Sequence, residues 1–231
     1  MNKVYLTIFF LMLTINLMAQ PTEGLIYASG SLTYVNPVNE NFDASGNANG
    51  QKTATNNLMV AVQGGYFMSN NFVMGLTISY MNNQSSQENV PLTKTTSDSK
   101  TWYYGLFGRY YTKVVGGLYF TNSIAFSLRS GTNITNNYWY HPDSTTSSSL
   151  DVSGFTVSYA PGFSYFISPH FGMNLSIGSI SYDHYRTTIN TGAYSGTSST
   201  NGNFNVILPI TSFNIGVSFL IGKNNAAVKV N

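Results

Sequence analysis

The chain has 231 residues, carries ten Lys and Arg against eight Asp and Glu, and has a formal net charge of +2. Only 8% of the residues are charged, against about 25% in a typical soluble domain, so the composition argues against a water-exposed surface over most of the protein. The balanced charge gives no support for a nucleic-acid partner, and the absence of cysteine excludes a disulfide framework, a lipid-modified cysteine and thiolate metal sites.

The first element in chain order is a predicted signal peptide at residues 1–19. A single lysine precedes an apolar run from Val4 to Leu13, and the small residue Ala19 suits the last position before cleavage. The alternative is a membrane anchor helix, which is disfavoured because Thr14 and Asn16 interrupt a run that is already short. No later apolar run reaches the roughly 18 residues of a transmembrane helix, which excludes a helical membrane protein.

From residue 24 onward, bulky residues alternate with small or hydroxylated ones, as in a strand with one apolar face. In the clearest case Phe155, Val157 and Tyr159 share one parity, and Thr156 and Ser158 share the other. Alternation and turn residues together predict eight strands. The predicted strands are 24–35, 58–69, 72–82, 101–112, 118–130, 151–168, 171–184 and 204–222.

The predicted connections alternate between short and long, so that the short ones lie at one end of the strands and the long ones at the other. The short connections are Asn70-Asn71, Lys113 to Gly117 and Pro169-His170. The long connections are 36–57, 83–100, 131–150 and 185–203. Because the long segments are rich in Asn, Ser, Thr and Gly, we expect solvated, mobile loops there.

The polar parity of the strands is too uncharged for a cytosolic surface and too polar for a core, as expected where one face meets lipid and the other a narrow wet lumen. Alternation alone leaves the two faces of the fourth predicted strand, 101–112, ambiguous, and Arg109 decides between them. Arginine on the lipid face costs about 2–4 kcal/mol at mid-depth, so Arg109 is predicted to point inward. The sequence thus predicts an all-β fold. The predicted architecture is an eight-stranded antiparallel up-and-down transmembrane β-barrel over residues 20–223, followed by a short periplasmic tail at 224–231. The four long loops are expected to be extracellular, and the three short turns and both termini periplasmic.

An internal repeat supports this interpretation. The segment from Tyr66 to Ile78 matches the segment from Tyr165 to Ile177 across a constant offset of 99 residues. Two hairpins therefore share one design, and four strands per 99 residues gives eight strands in total. An even number of strands is what closure into an up-and-down barrel requires.

Polar residues on the inward parity form a predicted lumen network. Its members are Gln63, Arg109, Arg129, Asn174, Asp183 and Asn214. Within it, Arg129 could pair with Asp183 across the upper lumen, and Glu23 could approach Arg109 lower down. The alternative is an anion-attracting constriction, although an eight-stranded interior is normally filled by side chains.

Aromatic residues cluster near the ends of the predicted strands, on the side of the long connections. Tyr and Trp are enriched at membrane interfaces, where their amphipathic rings lie at the level of the lipid headgroups. We therefore predict an aromatic belt made of Tyr34, Tyr80, Trp102, Tyr104 and Trp139.

Three segments carry a resemblance to known proteins, namely Tyr104 to Tyr111, Pro161 to Met173 and Phe213 to Ile221. They resemble the small outer-membrane β-barrel families of Gram-negative bacteria, the porin-like OmpA, OmpX and OmpW type. The resemblance implies a location in the bacterial outer membrane, contact with its lipid and lipopolysaccharide, and recognition of the last strand by the barrel-assembly machinery. In those families the last strand usually ends in Phe, whereas residues 223–231 extend past it here.

No arrangement of residues predicts catalysis, a cofactor or a metal site. A barrel enzyme needs a nucleophile, a base and an orienting carboxylate held together. His170 occupies a predicted turn, and His141 precedes a proline in a long loop. His184 lies near Ser181 and Asp183, as in a lipid A deacylase-like site, but sequence neighbours on alternating faces do not converge without a bulge.

The leading functional hypothesis is a non-enzymatic, monomeric outer-membrane barrel. Its lumen would be filled by side chains, and its surface loops would make envelope or external contacts. The second hypothesis is a narrow pore or an OmpW-like transporter of small solutes. The third is a lipid A-modifying barrel enzyme, which the missing catalytic constellation disfavours. A fourth, a soluble secreted β-sandwich, predicts extraction without detergent.

Overall fold

The computed structural model describes residues 21–35, 38–42, 48–89, 93–140, 143–191, 195–207 and 214–222. The predicted signal peptide at 1–19 and the predicted tail at 224–231 lie outside these ranges, as does the side chain of Asn214. No helix in this part of the chain is long and apolar enough to cross a membrane.

The regular structure of the described residues consists of eleven β-strands. Every pairing between them is antiparallel. Their bounds are Ile26–Val35 (β1), Val38–Phe42 (β2), Ala48–Ser69 (β3), Phe72–Asn89 (β4), Thr93–Val115 (β5), Leu118–Tyr140 (β6), Asp143–Ser168 (β7), Phe171–Ser176 (β8), Ser179–Ile189 (β9), Ser198–Ile207 (β10) and Asn214–Ile221 (β11).

Eight of these strands close into a ring. Around the wall the order is β8, β7, β6, β5, β4, β3, β1 and β11, and β11 pairs with β8 again. Strands β1 and β11, the first and last strands that the structure describes, pair with each other, with Ile26 opposite Ile221 and Leu32 opposite Ile215. The predicted eight-stranded antiparallel up-and-down β-barrel is therefore confirmed. A closed ring leaves no unpaired sheet edge at this level, as a lipid environment demands.

The other three strands extend the wall above the ring, away from the short turns. β2 pairs with β3, β9 follows β8 along the chain and pairs with β7, and β10 pairs with β9. Strand β5 alone has 23 residues, whereas a barrel strand needs roughly 9–11 residues to cross a bilayer. About half of β5 therefore exceeds the length that a bilayer crossing requires.

The segments predicted to be long loops are mostly strand, which corrects the sequence interpretation. Strand β4 continues to Asn89, β5 begins at Thr93, β6 continues to Tyr140 and β7 begins at Asp143. Ser, Thr and Asn lack the apolar alternation that marks a half-buried strand, but their backbones pair along the ladder all the same. We call residues 82–89, 93–100, 130–140 and 143–151 the hairpin arms.

The two hairpins of the internal repeat share an irregularity beside their short turns. The register shifts between Phe67 and Ser69 in the first hairpin, and between Phe166 and Ser168 in the second. Phe67 and Phe166, just before these shifts, are both buried inside the ring. The two copies of the repeat therefore each place an equivalent phenylalanine ring, Phe67 or Phe166, in the lumen.

The second hairpin departs from the first at Pro161. Strand β8 ends at Ser176 and β9 begins at Ser179, and the register against β7 shifts by one residue between them. This is a β-bulge, in which Gly178 adopts a φ of 132°. Proline has no N–H to donate to a ladder, so it is tolerated in a sheet at such a bulge. The single strand predicted at 171–184 is therefore two strands.

The two faces of the wall carry different side chains. Leu76 and Leu106 point outward and are 64% and 56% exposed. On the opposite parity Thr77, Ser79 and Ser127 are buried. The outer face is thus apolar and the inner face hydroxylated at mid-height, as the alternation predicts.

Candidate functional site in the barrel lumen

Large side chains fill the lumen at the end where the short turns lie. Seven of the eight ring strands contribute to one buried cluster, and a residue just before β1 joins it. We call this cluster the plug, and its nine members are Leu25, Tyr27, Phe67, Val73, Phe107, Tyr111, Tyr119, Phe166 and Leu220. None of them is more than 2% exposed, so the plug closes this end of the lumen.

The rings of the plug contact one another across the lumen. Tyr27 packs edge-on against Phe67, with ring centres 6.2 Å apart, and Tyr111 lies 5.6 Å from Phe67 and 5.9 Å from Phe166. Tyr119 packs edge-on against Phe166 at 5.6 Å. Such aromatic pairs contribute about 0.5–1.5 kcal/mol each beyond the area that they bury. The plug is therefore a continuous packed layer.

Above the plug, toward the hairpin arms, the lumen contains a cavity of about 460 Å³. Its wall is built largely from small hydroxylated residues, among them Ser29, Thr77, Ser79, Thr121, Ser123 and Ser127. The expectation of a lumen filled by side chains therefore holds for the short-turn half and not for the half above it. The cause is the size of the inward residues, which are aromatic beside the turns and small farther up.

Arg109 lies at the boundary between the plug and the cavity. Its Nε donates to Ser123 Oγ at 2.8 Å, its Nη2 donates to Gln63 Oε1 at 2.9 Å, and its Nη1 donates to the Tyr27 hydroxyl. The guanidinium carbon lies 5.5 Å from the ring centre of Tyr27 and 5.9 Å from that of Phe107. These partners are all neutral, so they orient the guanidinium without balancing its charge.

Arg129 lies higher in the wall, and its contacts are aromatic. Its guanidinium carbon is 4.7 Å from the ring centre of Tyr185 and 5.7 Å from that of Tyr103, which are cation–π distances. Within the described residues Arg129 forms no ion pair with Asp183, contrary to the pairing suggested by the sequence. Glu23 is exposed, and its backbone N–H binds an asparagine side chain in the first short turn.

Asp183 and Asn174 make separate contacts on the wall of the cavity. The Asp183 carboxylate accepts hydrogen bonds from Thr156 Oγ1 and from Asn205 Nδ2, the second at 2.8 Å. Asn174 Oδ1 accepts a bond of 2.6 Å from a serine of the same hairpin. The described members of the predicted network therefore lie in several clusters, and among their side chains the direct contact is the one from Arg109 to Gln63.

A family model for the outer membrane protein β-barrel domain matches residues 6–222 of the chain. The chain belongs to this family. The family indicates the bacterial outer membrane as the location, so the exposed apolar face of the ring contacts lipid. The resemblance drawn from the sequence is confirmed, whereas a search of curated proteins gives no match.

Several solved structures of outer-membrane proteins are similar to this chain. The outer membrane protein OprG from Pseudomonas aeruginosa is 15% identical, with a TM-score of 0.44, over 90% of this chain and 100% of that one. The attachment invasion locus protein Ail of Yersinia pestis is 14% identical, with a TM-score of 0.37, over 87% and 100%. The outer membrane protease OmpT from Escherichia coli is 12% identical, with a TM-score of 0.39, over 85% and 91%.

The predicted aromatic belt of this outer-membrane barrel falls at two levels. Tyr80 and Trp102 are paired in register with ring centres 4.8 Å apart, and Trp102, Tyr104 and Tyr34 are exposed on the outer face. Trp102 is paired with Ser130 of β6, and Trp139 lies nine residues beyond Ser130 on the same strand. That separation is roughly 30 Å. It therefore lies on a hairpin arm, away from the other four.

The histidines of the described residues lie apart from one another. His170 is exposed in its turn, where its Nδ1 lies 2.9 Å from a backbone carbonyl oxygen of β11. His184 packs against Phe155 on the outer face, with ring centres 5.3 Å apart, while its neighbour Asp183 lines the cavity. His141 lies outside the described residues. The described ranges contain no group of three or more His, Cys, Asp or Glu residues that could hold a metal ion.

The sequence analysis predicted a lumen filled by side chains but did not identify the residues of the plug, although the signal was present. Alternation had identified Thr77 as inward, and the same parity rule places Phe67 and Phe107 inside. Each short turn has at least one large inward residue beside it, with Phe67 at the first, Tyr111 and Tyr119 at the second and Phe166 at the third. A comparison of the sizes of inward residues at successive heights along the strands would have predicted a lumen closed at one end.

Proposed function

We propose that this protein is a non-enzymatic outer-membrane barrel that is sealed against through-flow and presents its hairpin arms to contacts outside the bilayer. The observation that carries the proposal is the plug, because nine packed side chains at one end of the ring leave no continuous path. Eight-stranded barrels are just wide enough for side chains to fill them.

The orientation follows from the usual arrangement of bacterial outer-membrane barrels. These proteins keep short turns on the periplasmic side and extended connections outside. We therefore place the plug and both chain ends on the periplasmic side and the hairpin arms outside. The proposed partners are the surrounding lipid and lipopolysaccharide, together with the barrel-assembly machinery, and the proposed state is a monomer. Protease accessibility of the arms in intact cells tests this orientation.

Planar-bilayer recordings test the seal. The wild-type protein is expected to give no stepwise conductance, and a double variant with Phe67→Ala and Tyr111→Ala is expected to give discrete open levels. The matched control carries Phe126→Ala and Tyr104→Ala, which remove two rings from the outer face. A reproducible open channel in the wild-type protein, or equal conductance in both double variants, refutes the sealed barrel. Heat-modified migration on a gel verifies that each variant is folded.

We also propose that the protein does not modify lipid A, which can be tested separately from the seal. The support is that His184 and Asp183 lie on opposite faces of the wall, so they cannot act as one base and orienter. Lipid A from cells that express the protein should therefore have the same mass spectrum as lipid A from cells that do not. Loss or transfer of an acyl chain would show that the barrel is an enzyme.

A second candidate function is transport of a small solute through the side of the wall, as in an OmpW-like transporter. It is favoured by the lining of the cavity beside the β-bulge, which includes Pro161, Phe163 and Leu175. Phe163 and Leu175 are paired in register on the apolar parity, so the cavity reaches toward the lipid face there. Replacing Gly178 with Val should then slow solute uptake into proteoliposomes, whereas a sealed barrel shows no uptake with either residue.

A further inference from the structure

Arg109 is a cation without a counter-ion. Its three hydrogen-bond partners are a phenol, a hydroxyl and an amide, and the described residues give it no ion pair. An arginine side chain stays charged in proteins and carries five N–H donors, so these three bonds leave two donors over. A charge kept away from bulk water is costly unless another charge or a set of hydrogen bonds compensates it.

The surroundings of Arg109 strengthen its field. The plug packs against Arg109 with mostly apolar side chains, including the rings of Tyr27 and Phe107, and lipid surrounds the wall. The cavity lining above it is mostly small and hydroxylated, and besides Arg109 its charged residue is Asp183. A cleft of one charge sign with low-dielectric walls focuses the field and concentrates counter-ions.

The carboxylate that lines the cavity is too distant to neutralise this charge. Arg109 is opposite Ser123 in β6, whereas Asp183 is opposite Thr156, which is opposite Ser127. The two levels are separated by four residues along β6, or roughly 13 Å. Asp183 is also held by its own two hydrogen bonds.

We infer that the cavity binds a small polar anion, with Arg109 as its anchor. The guanidinium fork matches the oxygens of a carboxylate or a phosphate, and the serine and threonine walls offer hydrogen bonds to a hydroxylated body. A volume of about 460 Å³ falls within the usual range for small-molecule sites. The inference goes beyond the sealed barrel, because binding in the cavity does not depend on whether solute crosses the membrane.

A purely structural role for Arg109 is the competing explanation. Its bonds tie β5 to three other strands, because Tyr27 is in β1, Gln63 in β3 and Ser123 in β6. A neutral amide could tie strands without leaving a charge uncompensated. The two roles therefore differ in whether an added anion changes the environment of the guanidinium.

Nuclear magnetic resonance of the full protein in a zwitterionic detergent distinguishes the anion-binding role of Arg109 from the purely structural role. The sequence contains three arginines, so selective ¹⁵N-arginine labelling gives three Nε–H signals, which single-residue variants assign. The probes are glycerate, glycerol 3-phosphate and neutral glycerol. We expect the Arg109 signal to shift saturably with one or both anions and not with glycerol, while the signal of Arg186 on the outer face stays fixed. No saturable shift with either anion, or an equal shift with glycerol, overturns the inference.

Variants test the anchor by equilibrium dialysis with the same probes. Arg109→Gln should weaken anion binding roughly tenfold to hundredfold, as expected for loss of a hydrogen bond to a charged group, and Arg109→Lys should retain part of the affinity. The control Arg129→Gln also removes one arginine charge, but Arg129 is not part of the cavity lining. This variant should bind the anions with the affinity of the wild type. Equal affinity in Arg109→Gln and the wild type refutes the anchor. If Arg109→Gln fails the heat-modification test for folding, the lysine variant and the Nε–H signal decide.

Discussion

The two halves of the lumen are made by the same eight-stranded wall, yet one is packed and the other is hollow. In the short-turn half the inward residues are aromatic or long aliphatic, and they meet across the ring. In the half below the hairpin arms the inward residues are mostly Ser, Thr, Ala and Gly, and a cavity remains. Alternation therefore sets which face a residue takes, while the size of the inward residues sets whether the lumen is open.

The same contrast holds on the outer face. Around the ring this face carries Leu76, Leu106 and Phe126, whereas on the hairpin arms the same parity carries Thr96, Asp98 and similar polar residues. The strands are continuous between the two regions. A single strand thus passes from a lipid solvent to a water solvent, and its outer residues change accordingly.

The largest expected effect distinguishes the packed half of the lumen from the hollow half. Tyr111→Ala, in the plug, should lower the free energy of unfolding by about 3–5 kcal/mol, because a buried ring is replaced by a cavity. Tyr103→Ala, on the same strand and parity, should lower it clearly less, because Tyr103 already lines a cavity. Guanidinium titration in detergent micelles, followed by tryptophan fluorescence, measures both. Equal losses would contradict the distinction between the two halves.

The next effect sharpens the contrast on the outer face. Leu106→Arg should cost about 2–4 kcal/mol, because the charge would enter the hydrocarbon region. Thr96→Arg, ten residues away on the same face of β5, should cost about 0–1 kcal/mol, because that position lies on a hairpin arm. Unfolding in lipid vesicles measures both costs. A similar cost at the two positions would mean that the membrane boundary lies elsewhere.

A smaller effect tests how closely the strands of the ring approach each other. A Cβ added at Gly75 would lie 2.0 Å from the carbonyl oxygen of Gly64, whereas a Cβ added at Gly64 meets nothing within 4 Å. Gly75→Ala should therefore destabilise by about 1–3 kcal/mol through overpacking, and Gly64→Ala should stay within about 0.5 kcal/mol of the wild type. If the two variants unfold at the same denaturant concentration, the close approach at Gly75 is absent.

The smallest effect belongs to the hairpin arms. Asp98 and Lys100 form an ion pair of 3.2 Å with side chains 36% and 53% exposed. A double-mutant cycle with Asp98→Asn and Lys100→Gln should give a coupling of about 0.2–1 kcal/mol that falls as salt is added. A coupling as large as the loss in Tyr111→Ala would show that the arms, and not the plug, dominate stability.

Much of the wall could be predicted from residues alone, because lipid and lumen impose opposite demands on successive positions. The repeat of Tyr66 to Ile78 at Tyr165 to Ile177 correctly gave two equivalent hairpins. The arms could not be predicted, because their Ser, Thr and Asn residues carry no apolar period. Their strand structure depends on pairing with neighbouring strands, which local sequence does not reveal.

The candidate site was predicted only in part. The cost of arginine in lipid identified Arg109 as an inward residue, and Gln63 was assigned to the same lumen. The partners of Arg129 and Asp183 were not predictable, because a strand position fixes the face of a residue and not the side chain that it meets across the ring. The bulge at Pro161 and Gly178 changes the register again on one side of the wall.

The sequence by itself determined the class of this protein, since alternating apolar and hydroxylated residues with few charges are stable only as a closed wall between lipid and a lumen. The tertiary structure decided where that lumen is filled and where it is hollow. Filling depends on which inward residues from different strands reach the same height, as Tyr27, Tyr111 and Phe166 do in the plug. Height is set by long-range register, which no local pattern encodes.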